Sequence, residues 1–497
     1  MIYNTSMSFP HINLRNIARE AMRDYGFVHI FPARAMKEIQ GLQDKTAHLK
    51  HSEELRDLRG LVWSSIDNID SRDLDQIEYC ESAGRREIRV LVAVADVDFY
   101  VVKATGLDRH AAHNGTSVYT GIETFPLFPQ KLSWDLSSLN ENEDRVAVVS
   151  EFFVRRDGSV CFADVYRALV RNKAKLVYET AGDWLEEKTG MPEAVLKVEG
   201  LEDQLLLQNQ AAERLHQFRM ENGALELETI EPMVLMQEGR VVDLIVKKKN
   251  AARYLIENFM IAANRTMVWF LEKNKIPLIQ RIVRTPEKWL RIVEVAKELG
   301  VRLPELPDSK ALSDFLAKER RRDPEVFPDL SVTVVKLIGS GEYVMVPPGK
   351  SHGHFGLAVS DYTHSTAPNR RYVDLIMQRL LKAVLSGKNF PYNKTELSQI
   401  AEWCTTRDQA SKKVERFMRK VAGAILLSDR IGEVFEGIVT GASEKGVYVR
   451  LLAPPVEGRV VQKEEGLEVG QKTHVRLINM RPHKGYIDFE RVERSGE

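Results

Sequence analysis

A short acidic segment, SSIDNIDSRDLDQ at residues 64–76, contains the residues best suited to chemistry. It carries Asp67, Asp70, Asp73 and Asp75, and no lysine lies among them. Two carboxylates about 4 Å apart repel by roughly 4 kcal/mol at an effective dielectric constant of about 20, so a nearby cation is favoured. Mg²⁺ prefers such oxygen ligands and shares them with water and phosphate. The segment therefore predicts a magnesium site, although a turn alone explains Asp70.

Other metal sites fit this sequence less well. The segment lacks the glycine and the terminal glutamate of an EF-hand loop, and it contains no histidine for zinc. The three cysteines, Cys80, Cys161 and Cys404, are too widely spaced for a thiolate motif or a disulfide framework. They predict free thiols in a reducing cytoplasm.

A second segment, HGHFGLAVSDYTHSTAPNRRYVDLIMQR at residues 352–379, presents two adjacent arginines. Pro368 disfavours a helix before it, and RRYVDLIMQRLL predicts an amphipathic helix after it. Arg370 and Arg371 are therefore expected near a helix N-terminus, where backbone N–H groups favour phosphate. A guanidinium there can stabilise charge on a phosphoryl oxygen, and we predict a contact with RNA for Arg371. Without further context, a surface or salt-bridging role explains either arginine better.

The rest of the chain predicts the elements that position these groups, in an α+β multidomain fold. Residues 1–56 predict a small helical element, which is either a helix-turn-helix or winged-helix-like module or a capping subdomain. Residues 57–427 predict an α+β catalytic body, and residues 430–497 predict a C-terminal antiparallel β-barrel of the OB type. Within the body we predict hairpins at 76–102 and 144–172, and helices at 201–225, 251–274 and 370–387.

Composition excludes several classes of protein. With 71 basic and 71 acidic residues the formal net charge is +0, so an anionic partner must be held by a local patch. No apolar stretch is long enough to span a membrane, and the first residues lack a secretory signal pattern. With 43% hydrophobic residues, the chain is typical of a globular protein. We expect a cytoplasmic monomer that does not bind membranes.

Six segments occur in the order found in ribonuclease II-type exoribonucleases, the RNB family. The resemblance spans residues 57 to 425, and the final stretch is similar to the OB-type RNA-binding domain that often follows this catalytic domain. The six segments are SIDNIDSRDLDQ, VAVADVDFYV, GTSVYTGIETFPLFPQKLSWDLSSLNENEDRVAV, RMENGALEL, LIENFMIAANRTMV and HFGLAVSDYTHSTAPNRRYVDLIMQRLL.

This resemblance implies an enzyme that hydrolyses RNA from its 3′ end, one nucleotide at a time, and releases nucleoside 5′-monophosphates. It implies Mg²⁺ as cofactor, with Mn²⁺ as the alternative, and single-stranded RNA as partner. The metal-holding positions are Asp67, Asp73, Asp75 and Gln76. Arg370 completes the catalytic set with the three aspartates.

The resemblance also implies several RNA contacts. Tyr119 matches an aromatic residue that stacks near the 3′-terminal base. Glu257 matches a residue at the terminal nucleotide, although an exposed helix carboxylate explains it nearly as well. Aromatic and basic residues alternate in the last domain and predict contacts from Tyr448, Arg481 and Lys484.

Two departures from the family pattern bear on function. Many members have an aspartate where this chain has Gln76, and an amide carries no charge, which questions the affinity for a second metal. About 57 residues precede the catalytic body, too few for the two cold-shock-type OB domains that are common there. We therefore expect this protein to act on RNA with duplex regions differently from family members that carry both of those domains.

Two other functions remain open at this stage. Gln76 is compatible with an RNA-binding or regulatory protein whose RNB site is disabled, although the three aspartates and Arg370 argue against it. A metal-dependent nuclease acting chiefly on DNA is the other alternative, because contacts to a 2′-hydroxyl are not visible in a sequence.

Overall fold

The computed structural model describes residues 13–47, 55–228, 232–246, 248–443 and 446–492. Their helices precede, cover and follow a central sheet. The helices are α1 (Leu14–Asp24), α2 (Ala33–Ala47), α3 (Gly106–Asn114), α4 (Tyr178–Leu185), α5 (Glu193–Leu196), α6 (Leu201–Glu221), α7 (Ala251–Lys273), α8 (Trp289–Glu298), α9 (Ser309–Arg322), α10 (Phe327–Ile338), α11 (Tyr372–Ser386) and α12 (Lys394–Leu426).

The strands form the central sheet, three small two-stranded sheets and a barrel. They are β1 (Arg56–Asp57), β2 (Trp63–Asp67), β3 (Gln76–Ala83), β4 (Glu87–Ala95), β5 (Val118–Tyr119), β6 (Thr124–Phe125), β7 (Asp144–Val154), β8 (Val160–Val177), β9 (Met233–Gln237), β10 (Arg240–Ile245), β11 (Leu278–Ile282), β12 (Glu342–Val346), β13 (Val434–Ser443), β14 (Gly446–Leu451), β15 (Glu457–Gln462), β16 (Lys472–Arg481) and β17 (Tyr486–Val492).

The central sheet has the order β1-β8-β2-β3-β4-β7, and β8 also pairs with β7. The predicted hairpins are confirmed as the pairs β3–β4 and β7–β8. Alternate residues of the strands point to opposite faces, so that Ile77 and Leu91 join one apolar core while Val90 and Val92 join another. The sheet is thus covered on both faces, and the acidic loop follows β2, which pairs with β8 on one side and β3 on the other.

The first two helices are present as predicted, and both pack on the catalytic body. The apolar face of α1 lies in a cluster with Val414 and Met418 of α12. Ala35 and Ile39 of α2 join the core beneath the sheet. This packing gives the element a structural role, and its role as a nucleic-acid module stays a prediction.

The C-terminal strands close into the barrel β13-β14-β15-β17-β16, which confirms the predicted OB-type topology and the α+β multidomain fold. Phe435 and Phe489 lie in its core. Arg450 of the barrel donates to both carboxylate oxygens of Asp329 on α10, each at 2.8 Å, and so joins the barrel to the body. In the described part of the chain, no helix is both long enough and apolar enough to cross a membrane.

Candidate functional site

A cleft of about 350 Å³ lies between the acidic loop, the segment before α11 and one face of α7. Its walls are mostly polar, and they unite residues from distant parts of the sequence. The residues that line it are Asp67, Asn68, Ser71, Asp73, Asp75, Gln76, Tyr119, Tyr178, Arg253, Ile256, Met260, Thr366 and Arg370. All four predicted metal-holding positions, Tyr119 and Arg370 are therefore in one place.

The acidic loop is held in shape by its own polar groups and by the sheet. Asp67 ends β2, and its Oδ1 accepts hydrogen bonds from the Asn68 amide and the Ser71 hydroxyl, both at 2.7 Å. The carbonyl of Asp75 accepts from the amide of Ala95 at 2.9 Å, so the loop ends directly in the sheet. Asp70, by contrast, is exposed and does not line the cleft, which agrees with a turn residue.

Asp75 is the most enclosed aspartate of the loop, with 3% of its surface exposed. Its Oδ1 accepts a hydrogen bond from the amide of Asn369 at 3.1 Å, and its Oδ2 lies 3.6 Å from Nε of Arg370. Burial raises the pKa of Asp75 to about 8, against the opposing charge of Arg370. Burial also raises the pKa of Asp73. These carboxylates thus lack the countercharge that would offset their burial.

Arg370 reaches the cleft because its backbone is fixed on the other side. Its carbonyl accepts hydrogen bonds from the amide of Ser117 at 2.9 Å and the hydroxyl of Thr116 at 3.1 Å. The α11 helix begins at Tyr372, which confirms the predicted helix boundary after Pro368. The Arg370 side chain is 45% exposed. Its guanidinium is therefore accessible to a phosphate in the cleft.

Arg371 points away from the cleft, in contrast to its neighbour. Its Nε and Nη2 donate to the two carboxylate oxygens of Asp374, at 2.8 and 2.7 Å. The Asp374 side chain is fully buried, and its Oδ1 also accepts from the amide of Ala367 at 2.7 Å. The fork of Arg371 is thus occupied by Asp374 and holds the turn before α11, and its contact with RNA stays a prediction.

Replacement of Asp374 by asparagine is expected to lower the free energy of unfolding by about 3–5 kcal/mol, because Arg371 would stay buried without its counter-ion. Urea unfolding followed by tryptophan fluorescence measures the change. The matched control is Asp314→Asn, which breaks an exposed pair with Lys310 and should cost less than about 1 kcal/mol. Equal losses in the two variants would contradict the assigned role of Arg371.

Tyr119 stands at the mouth of the cleft on β5. Its hydroxyl donates to Oδ2 of Asp73 at 3.2 Å, and the residue is 41% exposed. Burial of the hydroxyl, together with the charge of Asp73, raises the pKa of Tyr119. The tyrosine therefore stays neutral, with its hydroxyl fixed and its ring accessible to a base.

Glu257 lies on α7 beside the cleft, but it does not line it. It accepts from Nζ of Lys249 at 2.6 Å and lies 3.5 Å from Nη2 of Arg219. Burial alone would raise the pKa of Glu257. The charges of these two cations outweigh burial and lower the pKa. This carboxylate is thus ionised and paired, and its contact with a terminal nucleotide stays a prediction.

The predicted RNA contacts of the barrel lie outside the cleft. Arg481 and Lys484 are exposed near the end of β16, and Tyr486, opposite Arg481 in the sheet, is 56% exposed. Tyr448 is half-buried, with Nζ of Lys420 lying 5.8 Å from the centre of its ring. The ring of Tyr486 and the cationic side chains of Arg481 and Lys484 thus lie on one accessible surface, which suits single-stranded nucleic acid.

Arg253 and Tyr178 are among the lining residues that sequence inspection did not identify. Nη2 of Arg253 donates to Asn68 and to Glu179, both at 3.1 Å, and its guanidinium carbon lies 4.3 Å from the centre of the Tyr178 ring. Arg253 lies in the first turn of α7, shortly before the LIENFM motif. Its position three residues before Ile256, on the same helix face, was the available signal.

The donor set fits a divalent cation that is completed by substrate. Carboxylate and amide oxygens are hard ligands, and burial raises the pKa of Asp75 to about 8, so a bound cation would favour its ionised form. Within the described residues, no three His, Cys, Asp or Glu side chains form a metal cluster by themselves. Mg²⁺ commonly takes one or two carboxylates and fills its shell with water and phosphate, which matches this cleft.

Comparison with known proteins identifies the relatives of this chain. Two family models match: the RNB domain over residues 55–387, and the RNase II-type exonuclease C-terminal S1 domain over residues 433–492. Ribonuclease R of Thermotoga maritima is 29% identical over 500 residues, which cover 94% of this chain and 69% of that protein. Ribonuclease R of Escherichia coli is 30% identical over 448 residues, which cover 87% of this chain and 54% of that protein.

The fold has a close match among solved structures. Mycoplasma genitalium RNase R in complex with ribose methylated single-stranded RNA superposes with a TM-score of 0.88 at 22% identity, over 97% of this chain and 78% of that chain. Because the RNB-domain match covers about two thirds of the residues and includes the cleft, the chain belongs to the RNB family.

Proposed function

We propose that the chain is a metal-dependent 3′-to-5′ exoribonuclease that releases nucleoside 5′-monophosphates. The observation that carries this proposal is the meeting of a buried carboxylate, Asp75, with an accessible guanidinium, Arg370, in one polar cleft. A carboxylate of this kind favours a cation, and a guanidinium favours a phosphoryl oxygen. The pair therefore suits cleavage of a phosphodiester.

The names of the relatives support RNA as the substrate. The two curated relatives are called Ribonuclease R, and the solved neighbour holds single-stranded RNA. Another structure of the Mycoplasma genitalium enzyme contains double-stranded RNA. We infer that this chain acts on single-stranded 3′ ends, including those of RNA that carries duplex regions.

Asp67, Asp73, Asp75 and Gln76 are the residues proposed to hold Mg²⁺, or alternatively Mn²⁺. When bound, such a cation lowers the pKa of an attacking water and offsets charge on the phosphate oxygens. Asp75 has its Oδ1 fixed by the amide of Asn369, which leaves its Oδ2 directed towards Arg370 and the cleft. The fixed geometry limits rearrangement during the reaction.

The protein's own groups perform the remaining tasks. Arg370 donates to the non-bridging oxygens as negative charge increases in the transition state. Tyr119 stacks on the 3′-terminal base, which holds the strand without selecting a sequence. Arg481 and Lys484 on the barrel contact phosphates further along the RNA, so binding should weaken as salt rises. Tyr448 adds an aromatic contact, and Glu257 contacts the terminal nucleotide.

Tyr119→Ala is expected to weaken RNA binding by about 1–3 kcal/mol, because the stacking surface is lost. Tyr119→Phe keeps the ring and loses only the hydrogen bond to Asp73, so its dissociation constant should stay near that of the unmodified protein. Fluorescence anisotropy with a labelled RNA in EDTA measures both. Equal losses would show that the hydroxyl, and not the ring, carries the effect.

The test of the function is degradation of 5′-labelled single-stranded RNA with Mg²⁺ or Mn²⁺. A ladder that shortens from the 3′ end, with nucleoside 5′-monophosphates as product and no reaction in EDTA, supports the exoribonuclease. If the RNA is bound but stays intact, the result would favour the alternative suggested by Gln76, an RNA-binding or regulatory protein whose RNB site is disabled. A DNA strand of the same sequence, degraded at the same rate, would indicate a nuclease that does not select the 2′-hydroxyl.

Two further expectations accompany the proposal. We infer that the enzyme acts in the cytoplasm. We also expect a monomer. Light scattering at the concentration used for the RNA assay measures the oligomeric state.

A further inference from the structure

Glu78 on β3 is a fully buried carboxylate with no visible counter-ion. Its exposed fraction is 0%, and neither Oε1 nor Oε2 has a hydrogen-bond partner among the described residues. A buried acid without a partner is costly, and the cost is greater when the acid is charged. A carboxylate in such a place therefore calls for an explanation beyond packing.

The position of Glu78 along β3 places it two residues after Gln76, at the end of the acidic loop. Successive residues of a strand alternate between faces, so Glu78 lies on the same face as Gln76, which lines the cleft. Gln76 lines the cleft and Glu78 does not, so Glu78 lies behind the cleft wall, one strand pleat from Gln76.

The immediate neighbours of Glu78 add acceptors rather than cations. Ser64 stands opposite it in the β2–β3 register, and the Ser64 hydroxyl has no described partner. Gln208 on α6 donates to the carbonyl of Glu78 at 3.4 Å, while its own Oε1 is also unpartnered. Among the described residues, no cation is therefore paired with the Glu78 carboxylate.

A purely structural explanation treats Glu78 as a neutral acid in the core. The same face of β3 continues to Cys80, which packs in an apolar cluster with Ile66, so a leucine would suit this environment better. This explanation gives no reason for a carboxylate at this position. A nearby cation does give one, because it removes the cost of the buried charge.

We propose that Glu78 supplies negative charge to a divalent cation held between Asp67 and Gln76, in place of the carboxylate that Gln76 lacks. This inference rests on the proposed metal-dependent function. Glu78 acts here as a positioning residue behind the cleft, one strand pleat away from Gln76. The acidic site would thus keep four carboxylates although its fourth motif position is an amide.

The experiment measures Mn²⁺ binding to the full chain without RNA, by isothermal titration calorimetry and by the electron paramagnetic resonance signal of free Mn²⁺. Glu78→Gln is expected to weaken binding at least about tenfold, because one of the charges that attract the cation is removed. The matched control is Glu81→Gln on the opposite face of β3, where the carboxylate is paired with Arg89, and it should bind like the unmodified chain.

A second variant separates loss of charge from loss of structure. In Gln76→Asp/Glu78→Gln the carboxylate moves to the motif position, and Mn²⁺ affinity should return to that of the unmodified chain. The Mn²⁺-induced rise in the thermal unfolding midpoint should follow the same order. Glu78→Gln without Mn²⁺ should melt no lower than the unmodified chain, because it removes an unpartnered buried acid.

The outcomes distinguish this inference from the proposed function. Unchanged Mn²⁺ affinity in Glu78→Gln, with normal binding by the unmodified chain, overturns the role of Glu78 alone. Absence of Mn²⁺ binding by the unmodified chain overturns both the role of Glu78 and the metal-dependent function. Failure of Gln76→Asp to restore affinity in a folded double variant assigns the loss to structure and overturns the inference.

Discussion

Asp75→Asn is expected to slow RNA degradation by about 10³-fold, while the protein stays folded and continues to bind RNA. The rate loss corresponds to about 4 kcal/mol of transition-state stabilisation, the scale of a metal ion's contribution to charge stabilisation. Asparagine has nearly the same shape, and its Oδ1 can still accept the hydrogen bond from the Asn369 amide. The variant therefore removes charge and little else.

The structure predicts a second property of Asp75→Asn that tests the same assignment. Burial of the Asp75 carboxylate costs stability in the metal-free protein, and the charge of Arg370 offsets this cost only in part, so the amide should not lower the thermal unfolding midpoint. Single-turnover assays with 5′-labelled RNA, gel shift and thermal unfolding measure the three quantities. Asp70→Asn is the matched control, since Asp70 is an exposed aspartate of the same loop. More than a tenth of the normal rate in Asp75→Asn would remove Asp75 from the catalytic set.

Elements with strong local patterns were predictable from the sequence. The two hairpins of the central sheet have long apolar strands and short turns, and the helix after Arg371 has a proline before it and Gly387 at its end. The barrel was recognisable from short strands between glycines. In each case the residues that decide the structure are neighbours in the chain, so local preferences and the fold agree.

The composition of the cleft was predictable only where a family motif marked it. The amide of Asn369 and the carboxylate of Asp75 are 294 positions apart, and no periodic pattern connects them. Arg370 and Arg371 are adjacent in the sequence and have the same chemistry, but only the buried Asp374 shows which of them is occupied. Contacts between distant parts of the sequence decide both which residues meet in the cleft and which of the two arginines is paired.

Glu78 illustrates the same limit at a single position. In the sequence it is a polar residue of a strand in which polar and apolar residues alternate, and it would ordinarily be assigned to the solvent side. In the structure, α6 covers that face and places Gln208 against the backbone of Glu78. A charged residue that the pattern assigns to water is thereby enclosed beside the acidic loop.

Arg370→Ala is expected to reduce the turnover number for RNA by about 10²–10³-fold, with a much smaller effect on RNA binding. The guanidinium lies beside Asp75 at 3.6 Å and is 45% exposed, so it can reach a phosphate without being required to hold the strand. An interaction that strengthens only as charge builds up lowers the turnover number rather than the affinity. Rapid-quench measurements at saturating RNA give the turnover number, and anisotropy gives the dissociation constant.

Arg370→Lys tests whether the paired N–H donors of the guanidinium are needed or whether a positive charge is enough. Lysine restores the charge but not the planar pair of donors, so the rate should recover in part and remain below that of the unmodified chain. Arg302→Ala, which removes an exposed arginine outside the cleft, is the control for a general loss of positive charge. If Arg370→Ala and Arg302→Ala weaken RNA binding equally and leave the turnover number unchanged, then Arg370 serves the strand and not the transition state. Full activity in Arg370→Lys would mean that charge alone suffices, because the lysine cannot reproduce two parallel hydrogen bonds to one phosphate.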